Sequence, residues 1–241
     1  MTERQIELHP DDVHVWSLRL DLASDVRRRL EAFLSPDEAD RARRFAFPTS
    51  RNHFVCAHGL LRVILARYLG VAPWEVAIER AAGGKPRLAD GAGPRFNLSH
   101  GGGMGLVAVC AGREVGVDVE RVREVAGLAA DRCFSPFERA SLKAVAPRLR
   151  LEAFYACWTR KEAFLKALGD GLARRLDSFD VTLAPGEAPR LLRVQGEPEA
   201  PDCWALRALR PAPGYVGAVA VEGHEVAVRR RSWPTLSSML C

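Results

Sequence analysis

The stretch MGLVAVCAGREVGVDVERV, residues 104–122, indicates the fold of this chain because it contains two strand patterns joined by a short turn. In the second strand, valines at alternate positions lie on one face. The opposite face carries a glycine and two carboxylates, Gly116, Asp118 and Glu120. Neighbouring carboxylates repel each other, and each costs several kcal/mol to desolvate in a buried sheet. The two acids therefore need an explanation beyond architecture.

A second stretch, YVGAVAVEGHEVAVRRRSW at residues 215–233, repeats this pattern when Gly112 is set against Gly223. In that alignment the two acids face Arg229 and Arg231. A repeat at this spacing indicates an internal duplication. The shared architecture therefore does not require the acids.

Two further segments support the duplication. SPDE at 35–38 and SPFE at 135–138 each suit a helix start, with serine as the cap and proline in the first turn. A long helical pattern follows each of them and ends in Leu-Gly, at Gly70 and at Gly169.

The repeat predicts an α+β fold with two pseudo-symmetric halves, residues 1–112 and 113–241. Each half is expected to pack a small, mainly antiparallel sheet against one long helix. The active site is expected in the cleft between the halves.

Composition narrows the function classes. Six cysteines lie far apart without a C-x-x-C pair, which favours a reducing cytoplasm over zinc sites or disulfides. No apolar run approaches the ~20 residues of a membrane helix, and the first residues are too charged for a signal peptide. The net charge of +5 favours an acidic partner. Arginines without interleaved aromatics give nucleic-acid binding little support.

The acids on the strand suggest a metal site. Asp118 and Glu120 lie two residues apart, about 7 Å between Cα atoms, and can converge on one cation. Mg²⁺ typically binds a few carboxylates together with phosphate oxygens. The alternative is an edge strand with a solvated acidic face.

The helix over 151–169 carries an apolar stripe that includes Trp158, and Glu162 lies on the same stripe. A carboxylate at a core-facing position needs a partner. Lys166 lies one turn further and Lys161 is adjacent, which suits an anion with its metal. The alternative is a Glu162–Lys166 helix pair worth only a few tenths of a kcal/mol.

Two glycine-rich segments are candidates for phosphate binding. In FNLSHGGG, residues 96–103, glycines allow close backbone approach, and Ser99 and His100 add donors. An ordinary turn is the alternative. GGKPRL, residues 83–88, places Lys85 just upstream.

In this order, GGKPRL, FNLSHGGG, GVDVERV and CWTRKEAFLKALGDGL resemble the motifs of the Sfp-type 4'-phosphopantetheinyl transferases, in their long, pseudo-duplicated branch. The resemblance extends to LSPDEADRARRF and LLRVIL in the first half. It implies that the 4'-phosphopantetheine arm of coenzyme A moves to a serine of a carrier protein, leaving adenosine 3',5'-bisphosphate.

The resemblance also implies roles for individual residues. Mg²⁺ would be held by Asp118, Glu120 and Glu162. Coenzyme A would be bound by Lys161 and Lys166 at its phosphates, Ser99 and His100 at the 3'-phosphate, Lys85 at the nucleotide, and Arg41 and Arg51 at phosphate and adenine. Catalysis would involve Lys166, and Glu162 is the candidate general base. The family commonly has an arginine where His58 stands.

Expected partners are acyl, aryl or peptidyl carrier domains with an acidic surface, which a basic enzyme attracts. The branch favours polyketide and nonribosomal-peptide pathways, and a monomer is expected because both halves of the cleft lie in one chain. Two other functions stay open. One is another Mg²⁺-dependent enzyme acting on a phosphate ester; the other is a non-catalytic protein that docks carrier domains or coenzyme A.

Overall fold

The computed structural model describes residues 5–81, 83–89, 91, 93–124, 130–169 and 174–232, apart from the side chains of residues 131 and 132. Positions 170–172 of the last motif, Trp233 and Cys241 lie outside the described residues.

Groups of helices and groups of short strands follow one another along the chain. The helices are α1 (Ser24–Glu31), α2 (Pro36–Arg43), α3 (Pro48–Leu69), α4 (Ala130–Cys133), α5 (Pro136–Ala144), α6 (Arg150–Leu168) and α7 (Ala200–Cys203). The strands are β1 (Asp12–Arg19), β2 (Ile78–Arg80), β3 (Pro86–Leu88), β4 (Arg95–Gly101), β5 (Met104–Cys110), β6 (Val115–Arg121), β7 (Phe179–Val181), β8 (Leu191–Val194), β9 (Trp204–Leu209), β10 (Tyr215–Glu222) and β11 (Ala227–Ser232).

The helix boundaries follow the predicted signals. Helices α3 and α6 end at glycines with left-handed backbones, Gly70 (φ 70°) and Gly169 (φ 78°). Helices α2 and α5 begin with capping boxes, in which a serine side chain and a glutamate three residues later satisfy each other's backbone N–H groups.

Two sheets form the centre of the molecule. The first has the strand order β11-β1-β5-β4 and the second β6-β10-β9. The consecutive strands β5 and β6 therefore lie in different sheets, as do β10 and β11. Pairing is antiparallel between β6 and β10 but parallel between β1 and β11. The predicted α+β class is confirmed, and the parallel pair is an addition to it.

Each sheet packs against one long helix. Helix α3 contributes Leu60 and Ile64 to a core with β1, β4 and β5, and α6 contributes Ala163 and Phe164 to a core with the second sheet. A third apolar cluster contains the alternating valines of β6 with residues of β1, β5 and β10. The predicted face of β6 is thus confirmed.

A buried ion pair recurs in both halves and supports the duplication. The capping glutamate Glu38 accepts a hydrogen bond from Arg62 of α3, which also donates to the Val76 carbonyl. Glu138 likewise accepts from Lys161 of α6, which also donates to the Phe179 carbonyl. In each half one ion pair therefore joins a short helix, the long helix and the segment that follows it. The division at residues 112 and 113 stays a prediction.

In the described part of the chain, no helix is long and apolar enough to span a membrane. The described cysteines are free thiols: Cys56, Cys110, Cys133, Cys157 and Cys203.

Candidate active site

Helix α6 packs directly on β6 at Gly116. A Cβ atom there would lie 2.1 Å from the Ala163 carbonyl oxygen and 2.3 Å from the Ala167 nitrogen. Only a glycine allows so close an approach. The residues that precede these alanines, Glu162 and Lys166, therefore flank the contact with β6.

Side chains of β4 join the two sheets beside this contact. Asn97 Oδ1 accepts a hydrogen bond from the Val117 N–H at 2.9 Å, and Ser99 Oγ donates to Asp118 Oδ1 at 2.8 Å. The FNLSH and GVDVE motifs are thus held next to each other, with the α6 motif packed on them.

Lys166 neutralises Asp118 at this junction. Its Nζ lies 2.6 Å from Asp118 Oδ1 and 3.0 Å from Ser99 Oγ. Within the described residues the ion pair of Lys166 is with Asp118, not with Glu162 as in the helix-pair alternative. The second oxygen, Asp118 Oδ2, is buried and has no hydrogen-bond partner among the described groups.

The other two acids share the field of Asp118. Burial raises the pKa of Glu120, and the Asp118 and Glu162 charges raise it further against the opposing effect of Lys166. Burial likewise raises the pKa of Glu162, with a further increase from Asp118 and an opposing effect of Lys166. Asp118 therefore lies close enough to both glutamates to disfavour their charged forms.

These residues fit a divalent cation, although they do not form a ready-made cage. Among the described residues, no three His, Cys, Asp or Glu side chains are arranged to hold a metal ion by themselves. However, the partnerless oxygen of Asp118 and the disfavoured charges of Glu120 and Glu162 are both relieved by a hard cation with oxygen ligands. Magnesium binding by the three acids stays a prediction.

Two adjoining cavities lie along this junction. A cavity of 690 Å³ lies between the β2–β3 turn and α6, and its walls include Lys85, Glu162 and Lys166. A cavity of 780 Å³ lies between α2, α3 and β4. They adjoin because both include Pro86, Asn97 and Leu98 in their walls. An extended ligand can therefore contact both.

Several predicted ligand residues line these cavities. Arg41 lies in the wall of the larger cavity with its guanidinium 5.3 Å from the Phe54 ring centre, and His100 lies in the same wall. Lys85 borders the smaller cavity, where its Nζ donates to Glu114 Oε2 at 2.5 Å and to the Ala167 carbonyl at 2.6 Å. Its ammonium thus joins the β2–β3 turn to the end of α6.

The prediction that Lys161 lies beside the phosphates is wrong. Its side chain is 0% exposed, and its ammonium donates to both oxygens of Glu138 and to the Phe179 carbonyl. All three protons of the ammonium are therefore used inside the core of the second half.

The predicted contact of Ser99 with the 3'-phosphate stays a prediction, but the side chain of Ser99 has other partners in the structure. Successive side chains of a strand point to opposite faces, so those of Ser99 and His100 point in different directions. Ser99 is 6% exposed and its hydroxyl bonds to Asp118 and Lys166. It positions those two groups.

Arg51 lies in neither cavity wall. It is exposed in the first turn of α3, where it donates to Glu31 Oε1 at 2.8 Å. The contact predicted between Arg51 and coenzyme A stays a prediction.

The sequence of the chain is similar to known proteins over most of its length. It is 39% identical over 223 residues to the 4'-phosphopantetheinyl transferase HetI of Nostoc sp., which covers 90% of this chain and 91% of that protein. The chain belongs to the 4'-phosphopantetheinyl transferase family. Residues 114–220 match the 4'-phosphopantetheinyl transferase superfamily, and residues 24–112 match the 4'-phosphopantetheinyl transferase N-terminal family.

One further relative agrees with this membership. The transferase is 29% identical over 164 residues to the 4'-phosphopantetheinyl transferase Sfp of Bacillus subtilis, over 67% of this chain and 72% of that protein. A solved ACPS–coenzyme A complex from Chronobacterium ammoniagenes matches with a TM-score of 0.37 and 22% identity, over 46% of this chain and 97% of that one. The predicted family and activity are confirmed: this transferase moves 4'-phosphopantetheine from coenzyme A to a carrier protein.

Sequence reasoning missed some residues of this transferase's site. Asn97 belongs to the FNLSH motif, but its role as a link between the sheets depends on a strand far along the chain. Glu114 lies just before β6 and accepts a hydrogen bond from Lys85. The two residues are 29 positions apart, so no local sequence pattern predicts this contact. Arg44 lines the 780 Å³ cavity, and the sequence could have indicated it because it lies one helical turn from Arg41.

Proposed function

We propose that this transferase performs its reaction where β4, β6 and α6 meet, with Mg²⁺ held by Asp118, Glu120 and Glu162 against the pyrophosphate of coenzyme A. One observation carries the assignment: the Lys166 ammonium lies on one oxygen of Asp118 while the other oxygen is buried without a partner in the described structure. A cation and an unsatisfied acid side by side suit a phosphate and its metal.

The reaction exchanges one P–O bond for another. The serine oxygen of the carrier bonds to the phosphorus that bears the pantetheine arm, and the bond from that phosphorus to adenosine 3',5'-bisphosphate breaks. Lys166 is positioned to stabilise the negative charge that develops on the phosphate oxygens. A bound Mg²⁺ would supply further neutralisation of that charge.

Glu162 is the proposed acceptor of the serine proton. It borders the 690 Å³ cavity and is only partly exposed. A positioned carboxylate can accept the proton of a reacting hydroxyl. An acceptor here would stand beside Lys166, where the phosphates are proposed to bind.

The proposal is tested by the intact mass of an apo carrier protein after incubation with this transferase, coenzyme A and Mg²⁺. A gain of one phosphopantetheine that EDTA and Asp118→Ala both abolish is expected. Transfer that persists in EDTA or in the variant would overturn the metal assignment. Absence of both transfer and coenzyme A binding would overturn the function.

Glu162→Gln tests the proton acceptor. Turnover should fall by roughly 10²–10⁴-fold, the usual contribution of a general base, while coenzyme A binding stays close to wild type. Glu152→Gln is the matched control, since Glu152 is an exposed residue of the same helix paired with Arg210. Parallel loss of binding and turnover would make Glu162 chiefly a metal ligand.

The proposed acceptor is a carrier domain with an acidic surface, and the net charge of +5 supports it. The kcat/KM of the transferase for the carrier should therefore fall as ionic strength rises.

We also propose a monomer, since both sheets and both cavities come from one chain. A cytoplasmic location is supported by the free thiols.

A further inference from the structure

His58 lies in the wall of the larger cavity. It is a residue of α3, it lines the 780 Å³ cavity, and its ring stacks on Phe54 with the centres 4.0 Å apart. Its Nδ1 lies 3.0 Å from Glu38 Oε1. Among the described residues, none bonds to its other nitrogen, Nε2.

The partner of His58 is an ionised carboxylate. Burial alone would raise the pKa of Glu38, but hydrogen bonds from His58, the Ser35 N–H and Arg62 outweigh it and lower the pKa to about 2. An ionised carboxylate only accepts hydrogen bonds, so Nδ1 of His58 carries a proton. In a neutral ring, Nε2 then bears a lone pair, which repels a phosphate oxygen. A second proton turns Nε2 into a donor and makes the ring a cation.

The cavity around His58 has both basic and acidic residues in its wall. Its basic residues come from four elements: Arg41 and Arg44 of α2, Arg62 of α3, Arg80 of β2 and His100 of β4. Its acidic residues are mostly paired: Glu38 with Arg62, Asp40 with Arg43 and Glu79 with Arg87, while Asp37 lies on the rim side of α2 with an exposed side chain.

The adjoining cavity indicates which anion is bound. Under the proposed function, the pyrophosphate of coenzyme A lies near Lys166. The remaining phosphate of coenzyme A is the monoester on the ribose 3' oxygen. Because the two cavities share Asn97 and Leu98 in their walls, this monoester can reach the larger cavity.

His100 is a poor place for an extra proton. Burial foremost, and then the nearby positive charges of His58, Lys166, His53 and Arg41, lower the pKa of His100 to about 4. No carboxylate stands among those influences, whereas the ring of His58 bonds to one. A proton taken up with the ligand is therefore better held at His58.

We propose that His58 binds the 3'-phosphate of coenzyme A as an imidazolium, so that nucleotide binding takes up one proton from solvent. The inference rests on the proposed function for the identity of the ligand. The affinity for 3'-phosphorylated nucleotides then falls by up to roughly tenfold for each pH unit above neutrality.

The test is calorimetry of adenosine 3',5'-bisphosphate binding in two buffers of different ionisation enthalpy at about pH 8, where histidines are mostly neutral. Wild type should take up close to one proton. His58→Arg carries a permanent charge, so its uptake should approach zero and its affinity should exceed that of wild type. Adenosine 5'-phosphate, which lacks the 3'-phosphate, should show no uptake with either protein.

The comparison between proteins isolates His58, since titration of the ligand itself is the same in both. Equal proton uptake in wild type and His58→Arg would overturn the inference. If the variant does not fold, ¹⁵N NMR of the wild-type imidazoles with saturating ligand decides, and a neutral His58 ring in the complex would overturn it. Proton uptake without carrier modification would instead contradict only the proposed function.

Discussion

At the scale of single residues, the acidic cluster of Asp118, Glu120 and Glu162 lowers the stability of the folded protein when its glutamates are charged. Asp118 is 4% exposed with one oxygen unpaired within the described structure, and burial raises the pKa of both Glu120 and Glu162. The folded protein therefore holds the protons of these two glutamates more tightly than the unfolded chain. The protonated forms of these glutamates therefore stabilise the fold at pH values below their pKa in the unfolded chain. This stabilisation is lost as the pH rises through their pKa in the folded protein.

Glu120→Gln should therefore stabilise the ligand-free protein at neutral pH. The amide keeps the size of the side chain and removes a charge that burial disfavours. Thermal unfolding should show a higher midpoint than wild type near pH 7, and the difference should shrink as the pH falls and the glutamate protonates. Glu152→Gln serves as an exposed control. A lower midpoint than wild type would contradict the argument.

Lys161 and Lys166 should differ in what they support. Lys161→Met leaves Glu138 charged and buried, so unfolding in urea should show a loss of about 3–5 kcal/mol. Activity per folded molecule should change little. Lys166→Met should lose transfer activity in a protein that still unfolds cooperatively. As a control, adding Glu138→Gln to Lys161→Met should recover part of the lost stability, because the buried carboxylate is removed. A catalytic defect in the folded Lys161→Met protein would contradict this account and show that Lys161 reaches the site.

The sequence predicted the residue types of the site better than their directions. The spacing of Asp118 and Glu120 on β6, and of Glu162 and Lys166 on α6, correctly placed these side chains on shared faces. Lys161 was misjudged because neighbours on a helix point about 100° apart, and its partner lies in another helix. The local spacing of residues in a sequence does not predict partners that lie far away in the chain.

At the scale of elements, the contact between α6 and β6 sets the geometry of the site. Ala163 and Ala167 lie over Gly116, which brings the helix close enough for Lys166 to reach Asp118. A small residue in the strand thus determines how far apart the catalytic elements lie.

Gly116→Ala should displace α6. The new methyl group would overlap the Ala163 carbonyl, and overpacking of this kind costs about 1–3 kcal/mol or more. Urea unfolding should show that loss, and transfer should slow even where the protein stays folded. Gly105→Ala is the matched control, since its methyl group would meet Leu18 at an ordinary 3.5 Å. Equal effects of the two substitutions would contradict this account.

Element boundaries were readable from the sequence, but sheet membership was not. Ser-Pro pairs gave the starts of α2 and α5, and glycines gave the ends of α3 and α6. The alternation in β6 identifies its two faces without saying which sheet it joins. That choice depends on β10, almost a hundred residues later, and on the side-chain bond between Asn97 and Val117.

At the scale of the whole molecule, the two proposed halves are tied together by β11, a strand of the second half that pairs in the first sheet. The fragment 1–112 contains β1 but lacks its neighbour β11, and the fragment 113–241 contains β11 without its neighbour. Both cavities also take residues from more than one motif along the chain, and the smaller one combines Lys85 with Glu162.

Separate fragments 1–112 and 113–241 should therefore fold poorly alone and recover transfer activity when produced together. Each alone exposes an unpaired strand edge, which promotes aggregation. Circular dichroism and sedimentation of each fragment, and carrier modification by the mixture, measure this. If fragment 1–112 unfolds cooperatively with the midpoint of the intact chain, the strands contribute less than their pairing suggests.

The parallel pairing of β1 with β11 has a consequence in time. The ribosome delivers β1 as the first and β11 as the last strand of the described chain. One edge of β1 therefore waits without its native partner while the residues between them are translated. The first sheet therefore cannot be completed until β11 has been made, and nascent chains that stall before β11 expose this edge to chaperones and proteases.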